Sequence, residues 1–221
     1  MKKTKYKFKN KFSKEDIGAH TFVSFINFPK IYSDSSFEKE KINFYADGGL
    51  MRFIVFLKTG KWINKYNFDF SNIAVDIFQF IKKSKSNILI MGGSVEEVNF
   101  FNFFLVNKFL IPCNKIDICD GYAGADLFDF NLKKYDFALI GMGAPKQEKF
   151  AIKAIEHGIK RVYTCGAFIS QTSNYNALTT YPNIFILLNI KWMYRLFNEK
   201  GHLNRIIYGL KNIFNSINYI K

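Results

Sequence analysis

The chain contains few of the residues from which disulfide frameworks and metal sites are built. It has three cysteines and three histidines among 221 residues. An odd number of cysteines without paired spacing gives no disulfide scaffold and suits a reducing compartment. The histidines are too scattered to suggest a metal site, so we expect none. These residues are Cys113, Cys119, Cys165, His20, His157 and His202.

Acidic residues and uninterrupted apolar runs are also scarce. Asp and Glu number 18 against 32 Lys and Arg, and the net charge of +14 favours an anionic partner: nucleic acid, acidic lipid or a phosphorylated substrate. The most apolar segments, residues 98–111 and 183–190, are broken by Asn or Lys and are shorter than the ~20 apolar residues of a membrane span. No apolar stretch follows the first lysines, so we expect no signal peptide.

The length fits one globular core with two basic ends. We expect the core within residues 1–185 and a helical, basic appendage in residues 186–221. The first 14 residues carry seven lysines and no acid. We expect residues 1–15 to be a frayed, disordered end as readily as an ordered one.

From residue 87 onward, short apolar runs alternate with segments of helical length. This alternation predicts crossover connections and therefore a Rossmann-like α/β sandwich with a mostly parallel sheet. The first third is less regular and has apolar runs around a polar corner at residues 46–49. The predicted strands lie within residues 86–94, 114–124, 135–145 and 160–168, and the predicted helices within residues 95–110 and 146–159.

The C-terminal segment has helical spacing. Residues 191–221 contain six Lys or Arg and one Glu, and eight apolar residues follow a single helical face. Such a stripe either packs on the domain or rests on an anionic membrane. The apolar positions are 203, 206, 207, 210, 213, 214, 217 and 220.

A glycine-rich turn between a predicted strand and a predicted helix is the strongest local signal of a binding site. Gly141 and Gly143 lie at a strand end, where ligands of open α/β sheets bind and where a missing Cβ lets a ligand approach. Pro145 suits the first turn of the following helix, and Lys146 adds a positive charge. The pattern predicts an anionic ligand without naming it, because it lacks the third glycine of the dinucleotide fingerprint and the P-loop sequence.

Two polar residues follow this turn. Glu148 does not suit a phosphate cradle, because its carboxylate would repel the anion. Gln147 and Glu148 could instead bind a sugar or a base, or form a capping pair without a ligand.

Several motifs in order resemble the WecG/TagA/CpsF family of bacterial glycosyltransferases. Residues 141–148 (GMGAPKQE) are similar to the family signature, and Gly92 and Gly93 end a strand that looks like another family motif. The resemblance runs from about Asn27 to Arg205. The further segments that carry it are residues 45–49 (YADGG), 164–168 (TCGAF) and 189–205 (NIKWMYRLFNEKGHLNR).

The resemblance implies an inverting, metal-independent transfer of a sugar from a UDP-sugar to an undecaprenyl-diphosphate-linked acceptor. Such enzymes supply teichoic acid, common antigen or capsule, and N-acetylmannosamine or a related hexose is the implied sugar. No cofactor is implied, and the chain contains no Asp-x-Asp, the spacing with which metal-dependent enzymes commonly hold a nucleotide sugar. The implied location is the inner face of the bacterial membrane, with the C-terminal helix on the lipid.

The resemblance also implies roles for individual residues. Asp47, in the Asp-Gly segment, is the implied base for the acceptor hydroxyl, and it should be partly desolvated to act as one. Asn27 is implied to orient the substrate, or it caps a turn. Arg195 and Arg205 match arginines of the C-terminal block and are implied to hold a diphosphate.

Departures from the family pattern leave alternatives open. Phe25 stands where the family has a Thr, Lys191 where it has a Glu, and residues 179–182 (TTYP) replace an Arg-Ala-Pro segment. A non-catalytic family member that binds lipid or nucleotide is one alternative. A basic nucleic-acid-binding α/β protein is another, although the aromatic residues are mostly Phe in apolar runs, as in a core. Homo-oligomer formation stays open.

Overall fold

The computed structural model describes residues 6–36, 38–121, 132–174 and 201–220. Within these ranges, six strands form one sheet in the order β2-β1-β6-β5-β3-β4, and every adjacent pair is parallel. The α/β class and the parallel sheet predicted from the sequence are therefore confirmed. The strands are β1 (Gly18–Val23), β2 (Ile42–Ala46), β3 (Ile88–Gly92), β4 (Ile116–Cys119), β5 (Phe137–Gly141) and β6 (Arg161–Thr164).

Helices cover both faces of the sheet. On one side α1, α2, α5 and α7 pack into a core with Phe44, Ala138 and Val162, and on the other side α3, α4 and α6 pack over Ile90 and Tyr163. The helices are α1 (Phe28–Ser33), α2 (Gly48–Thr59), α3 (Ala74–Ser84), α4 (Val95–Phe104), α5 (Lys146–Glu156), α6 (Phe168–Asn174) and α7 (His202–Ser216). Single turns occupy Lys39–Lys41, Leu105–Phe109, Cys113–Lys115, Leu132–Lys134 and Ile217–Tyr219.

The central strands are apolar throughout because both of their faces are covered. All residues of β3 are buried, and so are the first four of β5. Such strands read as continuous apolar runs, which is how the sequence pattern located them. The irregular first third also contributes regular elements: residues 42–57 contain β2 and the first ten residues of α2, joined at Asp47.

Within residues 6–15, the lysine-rich N-terminal segment packs against the domain through aromatic residues, which favours the ordered alternative for this part. Tyr6 and Phe8 are buried in the core, and the Tyr6 backbone N–H donates to Tyr219 O at 2.7 Å. The lysines alternate with these aromatic residues, so the rings point inward while the ammonium groups face water.

The apolar stripe of α7 is divided between the core and solvent. Ile213 is buried, and the helix packs closely enough that a Cβ on Gly209 would lie 3.0 Å from Ile26 Cα. Leu203, Ile207, Leu210 and Phe214 are exposed instead, and Phe214 keeps 74% of its surface. The single face predicted from the spacing is thus two neighbouring faces, of which one packs on the domain.

No helix in the described ranges is both long enough and apolar enough to span a bilayer. The predicted boundary at residues 185–186 lies outside the described residues, as do Lys191, Arg195 and residues 179–182.

Candidate active site

A cleft of about 370 Å³ opens at the carboxyl ends of β2, β1, β6 and β5. All strands are parallel, so the loops that follow them meet at this one edge of the sheet. Five of the residues predicted from the sequence line the cleft together: Asn27, Asp47, Gly143, Gln147 and Arg205. Of the remaining predicted residues, Arg195 lies outside the described ranges, and the other six are described below.

Asp47 is held at the junction of β2 and α2. It is the N-cap residue of α2, with an extended backbone, and its side chain makes no capping hydrogen bond to the helix. Its backbone N–H donates to Val23 O at 2.9 Å, which ties the junction to the end of β1. The side chain is partly buried, and Gly48 beside it has open space where a Cβ would be. A carboxylate is thus presented to the cleft with room for a substrate next to it.

Glu148 is buried beneath the cleft and is absent from its lining, so it has a different position from the substrate-binding one that the sequence suggested. It lies on the face of α5 that packs against the sheet. Its Oε1 accepts hydrogen bonds from Thr21 Oγ1 at 2.8 Å and from Gln147 Nε2 at 2.9 Å. Thr164 Oγ1 in turn donates to Thr21 Oγ1 at 2.8 Å. Burial raises the pKa of the Glu148 carboxyl above its ordinary value of 4.5.

This buried network fixes the orientation of the Gln147 amide. The Gly166 backbone N–H donates to Gln147 Oε1 at 3.2 Å, while one N–H of Nε2 donates to Glu148. Because an N–H must meet an acceptor, the carbonyl end is directed to Gly166 and the NH₂ end to Glu148. Gln147 lines the cleft with 2% of its surface exposed, and the second N–H of Nε2 is the donor that it would present to a ligand.

Three of the predicted glycines are required by the packing of the protein itself. Gly92 is paired with Gly141 in the sheet, and a Cβ on it would lie 2.5 Å from Gly141 O. A Cβ on Gly141 would lie 2.8 Å from Gly166 O, and one on Gly93 would lie 2.8 Å from Glu97 Oε2. Gly143 shares its positive φ of 75° with Gly93, at 71°, but it differs in having open space where a Cβ would be, and it lines the cleft.

Lys146 is directed away from the cleft. Its Nζ donates to Gly121 O at 3.0 Å, two residues beyond the end of the edge strand β4, and Lys146 is not among the lining residues. Pro145 precedes the first residue of α5 as its N-cap, one position earlier than predicted, and it too is absent from the lining.

The cations of the cleft are Lys30, Lys65 and Arg205. The sequence analysis missed Lys30 and Lys65, because single lysines in a lysine-rich chain have no distinguishing pattern. Lys30 Nζ lies 5.6 Å from the centre of the Tyr208 ring, so α1 and α7 meet beside the cleft. Three cations against the two carboxylates Asp47 and Asp69 in the same lining suit an anionic ligand.

Phe25 and Asn27 connect the cleft to the C-terminal helix. A Cβ on Gly209 of α7 would lie 3.1 Å from the Phe25 ring, so the aromatic residue that replaces the family Thr supports α7. Asn27 precedes α1, and its side chain makes no capping hydrogen bond there. The capping role considered from the sequence is therefore wrong, and the side chain borders the cleft.

A second carboxylate in the cleft, Asp69, is part of a turn. Its Oδ1 accepts from Ser71 N at 2.9 Å and from Ser71 Oγ at 2.6 Å, and its Oδ2 accepts from Asn67 Nδ2. Among the described residues, no three His, Cys, Asp or Glu side chains are grouped closely enough to hold a metal ion.

Comparisons with known proteins identify the family of this chain. The sequence model of the Glycosyl transferase WecG/TagA/CpsF family matches residues 46–217, which is more than half of the chain. The chain is also 28% identical over 188 residues to UDP-Gal:alpha-D-GlcNAc-diphosphoundecaprenol beta-1,4-galactosyltransferase of Shigella boydii, with 79% of this chain and 76% of the relative covered. The matched region contains the cleft residues that follow β2, β5 and β6. The chain therefore belongs to the WecG/TagA/CpsF family of glycosyltransferases.

Proposed function

We propose that the protein transfers a hexose, of the N-acetylmannosamine or galactose kind, from a UDP-sugar to an undecaprenyl-diphosphate-linked acceptor, with inversion. The relative from Shigella boydii uses a UDP-sugar and a diphosphoundecaprenol-linked sugar. Both substrates carry a diphosphate, which suits the lysines and arginine of the cleft. The product serves the synthesis of a bacterial cell-surface polysaccharide.

The observation that carries this proposal is the meeting of Asp47, Gly143 and Gln147 in one cleft. In the proposed reaction, the acceptor hydroxyl oxygen bonds to the anomeric carbon, and the bond from that carbon to the UDP phosphate oxygen breaks. UDP leaves with the electron pair, and the hydroxyl proton passes to the Asp47 carboxylate. Gln147 donates a hydrogen bond to the donor substrate.

Departure of UDP requires that its growing negative charge be stabilised. We assign this to Lys30, Lys65 and Arg205 of the cleft. The proposed reaction uses no metal, in keeping with the absence of Asp-x-Asp from the sequence. Transfer is therefore expected to continue in the presence of EDTA, and its loss there would contradict this part of the proposal.

Substitution of Asp47 tests the proposal, with Asp69 as the matched carboxylate. Asp47→Asn should keep UDP affinity but lower turnover about 100-fold or more, because a general base contributes about that factor. Asp69→Asn should keep most of the activity, since its oxygens serve a turn. The assay offers a panel of UDP-hexoses and a short-chain, water-soluble diphosphate acceptor. Equal losses in both variants, or none in Asp47→Asn, would remove Asp47 as the base.

The same wild-type experiment separates the alternative functions. A non-catalytic family member would bind UDP and transfer nothing from any donor in the panel. A nucleic-acid-binding protein would be stabilised against heat by RNA and not by UDP. The basic charge of +14 is the observation that favours this second alternative.

We further propose a peripheral position on the cytoplasmic face of the membrane, with α7 in contact with anionic lipid. Exposed apolar residues on α7 lie next to Arg205 and Lys211. An amphipathic basic helix of this kind lies in the headgroup region with its apolar side toward the acyl chains. Sedimentation of the wild type with anionic vesicles tests this position.

A further inference from the structure

Helix α2, which begins at Asp47, has an apolar face that is exposed. One side of the helix is buried in the core through Met51, Ile54 and Val55. The other side is equally apolar, yet Phe53 retains 45% of its surface and Leu57 retains 61%. The exposed group, called here the α2 face, consists of Leu50, Phe53, Phe56, Leu57 and, just beyond the helix, Trp62.

Helices α2 and α7 approach each other at both of their ends. In their first turns, Leu50 and Arg205 line the same cleft. At their far ends, Lys58 Nζ donates to Asn218 Oδ1 at 3.1 Å, and the Ile217–Tyr219 turn packs against α2. Both helices bury their inner sides in the same core. The α2 face and the exposed side of α7 therefore flank the mouth of the cleft on one side of the molecule.

Beyond Asp47 at the start of α2, the charged residues within these two helices are all positive. Residues 48–68 and 201–221 contain no Asp or Glu, while Lys58 and Lys61 are exposed at the end of α2. The Arg52 guanidinium lies 4.4 Å from the centre of the Trp62 ring, so the ring is held between a cation and solvent. A Trp ring beside cations and apolar side chains is typical of the membrane interface.

We propose that the α2 face is a second membrane-contact element, which inserts into an anionic bilayer beside α7 and holds the cleft mouth against the headgroups. The proposal rests on the proposed function, in which the acceptor diphosphate is attached to a membrane lipid. A second copy of this chain is a poor occupant, because pairing two such acid-free faces would bring lysines together. Anionic lipid supplies both the apolar environment and the opposite charge.

Paired substitutions on opposite sides of the molecule test the proposal. Phe53→Ser with Leu57→Ser removes apolar surface from the α2 face. Phe103→Ser with Leu110→Ser is the matched control, because these residues are 64% and 63% exposed on the other side of the sheet. The wild type and both double variants are sedimented with vesicles of phosphatidylcholine and phosphatidylglycerol, and with vesicles of phosphatidylcholine alone.

The wild type and the control should pellet with the anionic vesicles, and less so at high salt. The α2 variant should need roughly tenfold more lipid for half binding, since a Phe and a Leu are lost from the buried surface. Equal binding of all three proteins would overturn the proposal. So would equal losses in the two double variants.

Labelling identifies any other occupant of the α2 face. In a Cys113→Ser background, which lacks the exposed native thiol, Leu57→Cys should react with a maleimide in solution and be protected by anionic vesicles. If the introduced thiol reacted slowly with the maleimide even without vesicles, another part of this chain would cover the α2 face. Protection that grows with protein concentration would mean a second copy. Either result would overturn the proposal.

Turnover separates this inference from the proposed function. The α2 variant should transfer sugar to a water-soluble, short-chain acceptor at the wild-type rate, because Phe53 and Leu57 are not in the cleft lining. It should lose transfer to a long-chain acceptor carried in vesicles. A wild type that binds vesicles but transfers to neither acceptor would refute the proposed function and leave membrane binding in place.

Discussion

Replacement of Glu148 by Met tests whether the buried carboxyl supports the cleft from below. Met is similar in length and fills the same space without an acceptor oxygen. The Thr21 hydroxyl and one Gln147 N–H both donate to Glu148 Oε1, so the substitution leaves two buried donors without their acceptor. Each such loss costs about 1–3 kcal/mol. We therefore expect Glu148→Met to lower the free energy of unfolding by about 2–5 kcal/mol.

The same variant should weaken UDP binding at temperatures where it is still folded. Without Glu148, the Gln147 amide keeps only the contact from the Gly166 N–H and can rotate away from the cleft. Isothermal titration with UDP measures this loss, and urea unfolding measures the stability. If Glu148→Met were as stable as the wild type and bound UDP equally well, the network would not support the cleft.

Glu148→Gln is the conservative control. Its amide oxygen can accept both hydrogen bonds, so stability and UDP affinity should stay close to those of the wild type. The variants also differ in pH dependence, because the raised pKa of Glu148 means that the folded protein holds the proton more tightly than the unfolded chain. The contribution of this pKa difference to the free energy of unfolding is fully present below pH 4.5 and is lost as the pH rises through the folded-state pKa of Glu148. Glu148→Gln should lack this decline.

Two further predictions concern stability alone. Gly92→Ala should lower the free energy of unfolding in urea by about 3 kcal/mol or more, because the added Cβ would overlap Gly141 O. Gly60 also has a positive φ, of 70°, but lies in open space, so Gly60→Ala should lower it by only about 1 kcal/mol. Burial of His20 between two Tyr rings lowers its pKa to about 4, so stability should fall by about 3 kcal/mol as the pH drops from 6.5 to 4. His20→Phe, which cannot be protonated, should lack this fall, and an unchanged pH profile would contradict it.

The strands after residue 87 could be predicted because a parallel sheet buries both faces of each strand. The resulting runs of apolar residues end in glycines where the chain must turn. Helix α2 could not be predicted in this way. Its residues 50–57 are apolar on the buried side and on the exposed side alike, so no helical period is visible. The pattern is ambiguous because solvent exposure there does not coincide with polarity.

Some residues in and beneath the cleft could be identified from the sequence, and others could not. Asp47 and Gly143 follow strand ends in turn sequences, which mark them locally. Glu148 belongs to the same signature, but its position depends on Thr21, which is 127 residues away in sequence. Local spacing cannot show that a polar side chain will fold inward onto such a partner. The cations Lys30 and Lys65 required the fold to bring their loops together.

The position of Asp47 connects the proposed chemistry with the proposed membrane contact. Asp47 begins α2, and a 12-residue helix is about 18 Å long. With the α2 face inserted, the helix would lie in the membrane plane at a depth of about 5–10 Å, near the boundary of headgroups and acyl chains. The carboxylate at its first residue would then be close to the level of a lipid-attached diphosphate. The acceptor could enter the cleft while its lipid chain stays in the bilayer. Loss of the α2 face should for this reason affect only the vesicle-borne acceptor, whereas loss of the Asp47 carboxylate should affect both acceptors.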